Sequence, residues 1–269
     1  MIYLFLKNIE KMYQIWYYIK PICWWGGSME FCSVQDLKKF LFKQKFLGSG
    51  SQGSCFVNFE RNTVYKIFNA FLIDEEDPCY SYNDIMRFSL VKNGSFVWPV
   101  DIIKVGNVIV GYTMPYVNSV DLFRINPLKI NLDLLKNFIN KTYEDINLIT
   151  LRDIKIYDLL YNIMFSENGF KVIDTLEYSS GKINYLLNRG YFDYAIMLFL
   201  VDGFFDSVVY DDKLLRKMYL NKEVSSIYFI DEFKKKLSSL IDKDITKLED
   251  AKKFVLHRNG EYIRDLKLI

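Results

Sequence analysis

Gly48-Ser49-Gly50-Ser51-Gln52-Gly53 opens the stretch that decides the fold. It runs on through residues 54–59, turns at Glu60-Arg61-Asn62, and returns as Thr63-Val64-Tyr65-Lys66. The glycine spacing is G-x-G-x-x-G, a pattern shared by two nucleotide-binding architectures. In the dinucleotide-binding one the glycines lie between a strand and a helix. Here both flanks are strand-like, so the loop is predicted to join antiparallel strands. Its backbone N–H groups can then approach phosphates closely, because no side chain intervenes. A plain flexible turn would use the same glycines, and Lys66 is what argues for more. It follows Gly53 by 13 residues, which a short hairpin spans, and so stands on the returning strand close to the loop.

Working outward, Met114-Pro115-Tyr116-Val117 ends a second hairpin, read over residues 96–104 and 108–116 around Gly106-Asn107, and is predicted to lead into a helix. Asp121 follows, either as an acceptor for sugar hydroxyls or as a carboxylate at a helix N-terminus. Further on comes Asp158-Leu159-Leu160-Tyr161-Asn162. A short hairpin around Asn168-Gly169 follows, then Ile173-Asp174-Thr175.

In this order the strings resemble the protein-kinase-like superfamily. Within it they are similar to small bacterial kinase-like proteins that read G-Y-x-M-P-Y before the hinge and I-D-T after the metal hairpin, here Gly111 to Tyr116 and Ile173 to Thr175. The resemblance covers roughly residues 45–178 and rests beyond that on helical content alone. It implies an α+β, bilobal protein-kinase-like fold with a β-rich N-lobe and a mainly helical C-lobe. It also implies ATP and Mg²⁺ as cofactors. Gly48, Ser49, Gly50, Ser51 and Gly53 would cover the phosphates and Lys66 would hold the α- and β-phosphates. Cys55 and Val64 would pack on the adenine, with Met114, the Pro115 carbonyl and the Val117 N–H at the hinge and Asp121 near the ribose. Asn162 and Asp174 would hold Mg²⁺, and Asp158 would orient or deprotonate the acceptor hydroxyl.

The chain also departs from that pattern. No H-R-D is present: the register gives Ile156-Tyr157-Asp158, and Asp158 precedes Asn162 by four residues instead of five. A rival register uses Leu151-Arg152-Asp153-Ile154-Lys155, but leaves too long a step to Asp174. Thr175 and Leu176 replace the phenylalanine and glycine of D-F-G, and no A-P-E string follows. The carboxylate that should pair with Lys66 is open among Glu75, Glu76 and Asp84. Two functions therefore stand: a kinase transferring the γ-phosphoryl group to a hydroxyl, with a lean to protein Ser/Thr over a small molecule, or a pseudokinase that binds nucleotide or a partner without transfer.

Elsewhere the pattern predicts a helix over residues 34–42, strands over 46–59 and 63–68, and a helical segment within 74–93. Long helices are predicted near 132–139, 183–200 and 224–240. The expected division is residues 1–28 as an extension, 29–117 as the N-lobe and 118–269 as the C-lobe. The 269 residues are 51% hydrophobic and 17% aromatic, ample for a core. Lys and Arg number 35 against 33 Asp and Glu, so no basic footprint for nucleic acid is expected. Four cysteines without a C-x-x-C pair and a single histidine, His257, argue against zinc and point to reduced thiols in the cytoplasm. His257 is expected on the surface of the last helix. Residues 1–28 are aromatic but broken by Lys7, Glu10, Lys11 and Lys20, so no transmembrane segment is expected. They read either as an amphipathic extension packed on the body or as sequence upstream of a true start at Met29.

Overall fold

The computed structural model describes residues 23–25, 28–69, 71, 80–221 and 224–255. Its first part is a seven-stranded sheet. In chain order the strands are β1 (Cys23–Trp25), β2 (Ser28–Phe31), β3 (Lys45–Ser49), β4 (Gly53–Asn58), β5 (Thr63–Phe68), β6 (Asp101–Val105) and β7 (Val108–Pro115). In space the order is β1-β2-β6-β7-β5-β4-β3. Only the β2–β6 pairing is parallel. The strand run expected over 46–59 is thus split by the glycine loop, whose Gly50 N–H closes it on the Gly53 carbonyl.

Residues of the expected extension take part in the sheet. Cys23–Trp25 pairs antiparallel with Ser28 to Glu30, and Met29 is buried in the core. Residues 1–22, on which the rest of the extension reading falls, lie outside the described residues, as does His257.

Alternation along the strands divides the sheet into two faces. On one, Phe56, Tyr65, Ile67, Ile103 and Val110 meet Leu37 and Leu41 of helix α1 (Val34–Phe42). Ser33 starts that helix by accepting from the Asp36 N–H at 3.2 Å. On the other face lie Val57, Val64, Phe68, Ile102, Tyr112 and Met114, packed with Leu176 from the second part. This second face carries Lys66, two residues on from Val64 along β5. Two glycines hold the strands close. A Cβ on Gly111 would lie 2.1 Å from the Lys66 carbonyl oxygen, and one on Gly53 2.4 Å from that of Ile67.

The second part is helical. Helix α2 (Tyr82–Met86) bridges toward it, and α3 (Leu132–Thr150), α4 (Tyr185–Val201), α5 (Asp206–Asp211), α6 (Lys213–Leu220) and α7 (Ser226–Ile241) form it. Apolar residues surround α4 on nearly every side, and Phe192, Ile196, Phe199 and Leu200 are wholly buried, so it is the central element of the core. Two small sheets sit against these helices. One joins β8 (Val120–Asp121), β10 (Ile163–Ser166) and β11 (Gly169–Val172), with Gly169 at φ 121° in the turn. The other pairs β9 (Ile154–Lys155) with β12 (Ser179–Ser180). The β-rich first part and helical second part expected from the sequence are both present. Among the described residues no helix is long and apolar enough to cross a membrane.

Candidate functional site

The open end of the β10–β11 hairpin sets one wall of the site. Ile163 pairs with Val172, so the Ile173 N–H donates to the Asn162 carbonyl at 2.9 Å and brings Asn162 alongside the segment that continues into Asp174. The Asn162 amide nitrogen donates to the Asp158 carbonyl at 2.8 Å, which leaves the amide oxygen as the atom available to a cation. Asp158, Tyr161 and Asp174 all have left-handed backbone, at φ 41°, 68° and 58°. Non-glycine residues held this way cost energy and cluster at functional sites. The tight turns at Asp158 and Tyr161 also accommodate the four-residue step to Asn162.

The β9–β12 pairing fixes the approach to Asp158. Lys155 pairs with Ser179, and the Tyr157 and Ser179 hydroxyls lie 3.0 Å apart, so the Asp158 and Asp174 loops are tied together. Asp153 lies just before this strand and Asp158 after it, and both have positive φ, at 56° and 41°. Asn188 of α4, wholly buried, completes the support. Its amide oxygen accepts from the Ile156 N–H at 3.0 Å, and its nitrogen donates to the Ile154 carbonyl and the Thr150 hydroxyl, both at 2.8 Å. Asn188→Ala strands all of these groups in the core and is expected to cost about 3 kcal/mol, measured as a lower urea midpoint; an unchanged midpoint would show that the bonds contribute no net stability.

Lys66 forms the opposite wall. It is 6% exposed, and its ammonium is ion-paired with the Asp174 carboxylate. It also donates to the Gln52 amide oxygen at 3.1 Å and lies over the Tyr112 ring. Gln52 in turn donates through its nitrogen to Glu177 at 2.7 Å, and Tyr80 donates to the same carboxylate at 3.4 Å. The described partner of Lys66 is therefore Asp174 and not Asp84. Asp84 caps its own helix by accepting from the Ser81 N–H and hydroxyl and also pairs with Arg87; the Ser81 bonds, more than Arg87, hold its carboxyl below the usual range. Glu75 and Glu76 lie outside the described residues.

Cys55 stands directly across from Lys66, and Met114 across from Val64, all on the face of the sheet that carries Lys66. Burial pushes the Cys55 thiol up, with Lys66 opposing and Asp174 adding to the shift. Iodoacetamide is accordingly expected to label exposed Cys32 faster than Cys55. Peptide mass spectrometry checks this, and labelling of Cys55 as fast as that of Cys32 would count against it.

The Ser49 and Ser54 hydroxyls meet at 3.0 Å across the mouth of the glycine loop. Gly48 and Gly50 have nothing within 4 Å of where a Cβ would sit, and neither has positive φ. Among the described residues neither packing nor backbone conformation explains these two glycines. Ser51 is exposed at the loop tip.

At the hinge, Pro115 ends β7 opposite Thr63, and the Tyr116 N–H is taken by the Asn62 carbonyl at 2.9 Å. Val117 lies partly buried against the cleft-facing cluster. The chain then enters β8 and two 3₁₀ turns, Leu122–Arg124 and Pro127–Lys129, in place of the expected helix, because β10 offers Met164 and Phe165 as strand partners. Asp121 caps the first turn, accepting from the Phe123 N–H at 2.8 Å.

Thr175 and Leu176 act as anchors where the pattern has phenylalanine and glycine. The Thr175 hydroxyl donates to the Val97 carbonyl at 2.9 Å, and Leu176 is buried under the sheet. Near them Tyr178 has its hydroxyl buried with no partner among the described residues; burial first, then Asp174 and Asp158, keep the phenol protonated. Sequence reasoning missed Glu177, Tyr178 and Asn188, which no local pattern marks. Among the described residues no cluster of His, Cys, Asp or Glu forms a metal site. A cation would have to be held by Asn162 and Asp174 with oxygens of its ligand.

No family model matches the chain, and no curated protein matches it significantly. Among solved structures it is similar to the Cydia pomonella granulovirus kinase PK-1, at 17% identity and a TM-score of 0.39. That match takes in 55% of this chain and 58% of the viral kinase, so it spans little more than half of either.

Proposed function

We propose that the chain binds Mg·ATP in the cleft between the sheet and the helical part and transfers the γ-phosphoryl group to a hydroxyl acceptor, preferentially a protein Ser or Thr. The observation that carries the reading is the meeting of Lys66 and Asp174, 108 residues apart, beside a glycine loop with open space at Gly48 and Gly50. In this reading the nucleotide phosphates enter between Lys66 and the loop, so that Lys66 exchanges Gln52 for phosphate oxygens. Gly48, Ser49, Gly50, Ser51 and Gly53 cover the phosphates. Cys55, Val64 and Met114 pack on the base, the Pro115 carbonyl and Val117 N–H bond its edge, and Asp121 stands near the sugar.

Mg²⁺ would be held by Asn162 and Asp174 and would neutralise charge on the phosphates. Asp158 accepts the proton of the acceptor hydroxyl. Phosphoryl transfer through a loose transition state needs little beyond such positioning and charge neutralisation. The test is transfer of γ-labelled phosphate from ATP to a generic protein acceptor and to the chain itself, with and without Mg²⁺. Mg²⁺-dependent labelling is expected. Nucleotide-dependent thermal stabilisation without any labelling would instead favour the pseudokinase reading, and absence of both would remove the nucleotide site.

A further inference from the structure

Asn69 lies just beyond the end of β5, three residues after Lys66, and contacts the glycine loop with both its side chain and its backbone. Its amide nitrogen donates to the Gly50 carbonyl at 3.0 Å and to the Ser51 carbonyl at 2.7 Å. Its backbone N–H donates to the Gln52 carbonyl at 3.0 Å. One residue therefore gathers three successive carbonyls of the loop. In a trans peptide the carbonyl of one residue and the N–H of the next point in opposite directions. With the carbonyls of Gly50, Ser51 and Gln52 drawn to Asn69, the N–H groups of Ser51, Gln52 and Gly53 are turned away from it. Neither the Ser51 nor the Gln52 N–H donates to a protein acceptor among the described residues.

We infer that Asn69 is a positioning residue that presets the glycine loop as a row of N–H donors for the phosphates of the nucleotide. The inference rests on the nucleotide reading above but concerns a residue outside the loop. A glycine-rich loop has more backbone freedom than any other segment, and ordering it on binding carries an entropic cost. A clamp already in place lowers that cost, and it acts only on ligand groups that meet the loop. Asn69 is thus expected to matter for phosphates and not for the base.

The experiment measures affinities of the full chain for Mg·ADP and for adenosine by titration calorimetry, in the wild type, Asn69→Ala and Asn69→Asp. Aspartate keeps the size of the side chain but points oxygens at the carbonyls it should bind. Mg·ADP affinity is expected to fall about tenfold in Asn69→Ala and further in Asn69→Asp, with adenosine affinity unchanged. Amide exchange at residues 51–53 is expected to speed up in both variants. Equal loss of both ligands, no loss of either, or failure of both variants to fold would overturn the role given to Asn69 while leaving the nucleotide site standing. A wild type that binds neither ligand would overturn the nucleotide reading itself.

Discussion

Asp174→Ala is expected to lower phosphoryl transfer by at least about a thousandfold and to destabilise the protein, whereas Asp174→Asn loses the same activity with most of the stability retained. Lys66 is almost fully buried and its charge is met by Asp174. Truncating the carboxylate leaves an ammonium with the Gln52 amide as its remaining acceptor, and breaking a buried pair in this way costs up to about 3 kcal/mol. The Asp174 side chain is 29% exposed, so water recovers part of that. Asparagine keeps an oxygen for the Lys66 bond and tolerates the left-handed backbone at φ 58°, so it removes little but the charge. A cation needs that charge. Thermal melts and initial rates on both variants separate the two contributions. Equal rates in the wild type and Asp174→Asn would rule out the metal role.

Asp158→Asn is expected to lower kcat by about 10²- to 10⁴-fold while leaving KM for ATP within about twofold. Asp158 is exposed, and its described hydrogen bond is through the backbone carbonyl, to Asn162. Its side chain makes no hydrogen bond or ion pair among the described residues, and its loss should change stability by no more than about 0.5 kcal/mol. Asparagine again suits the positive φ, here 41°, so the comparison isolates the carboxylate. Alanine would add a backbone penalty and confuse the result. A fall in ATP affinity with kcat unchanged would mean that Asp158 binds nucleotide and does not serve the acceptor.

What could be read from the sequence was governed by short-range chemistry. The β4–β5 and β10–β11 hairpins were legible because Glu60-Arg61-Asn62 and Asn168-Gly169 are turn residues between alternating strands, and Asn62 and Gly169 do take positive φ. Helix α1 lies where the sequence reading put it, over residues 34–42. The site residues Lys66, Asp158, Asn162 and Asp174 could be named from order and spacing, but the bond that joins two of them could not. Asp84 looked available to Lys66 on the linear sequence. In the fold, Ser81 and Arg87, within three residues of it, claim its oxygens first. Asp174 reaches Lys66 only after the chain has built both parts of the molecule.

β1 and β2 were hidden for a related reason. They are three and four residues long, too short for alternation to register, and the β2 pairing to β6 is parallel and long-range. β8 was misread because a two-residue strand exists only where β10 offers its edge. Glu177 and Asn188 are defined by distant partners, Gln52 in one case and the backbone of Ile154 and Ile156 in the other. No local pattern marks such residues.

The most direct measurement is a crystal structure of the chain with Mg²⁺ and a non-hydrolysable ATP analogue. The expected result has the triphosphate between the glycine loop and Lys66, with Mg²⁺ bonded to Asn162 and Asp174 and the base against Cys55, Val64 and Met114. An empty cleft at millimolar analogue, with Lys66 still bound to Gln52 and Asp174, would contradict it.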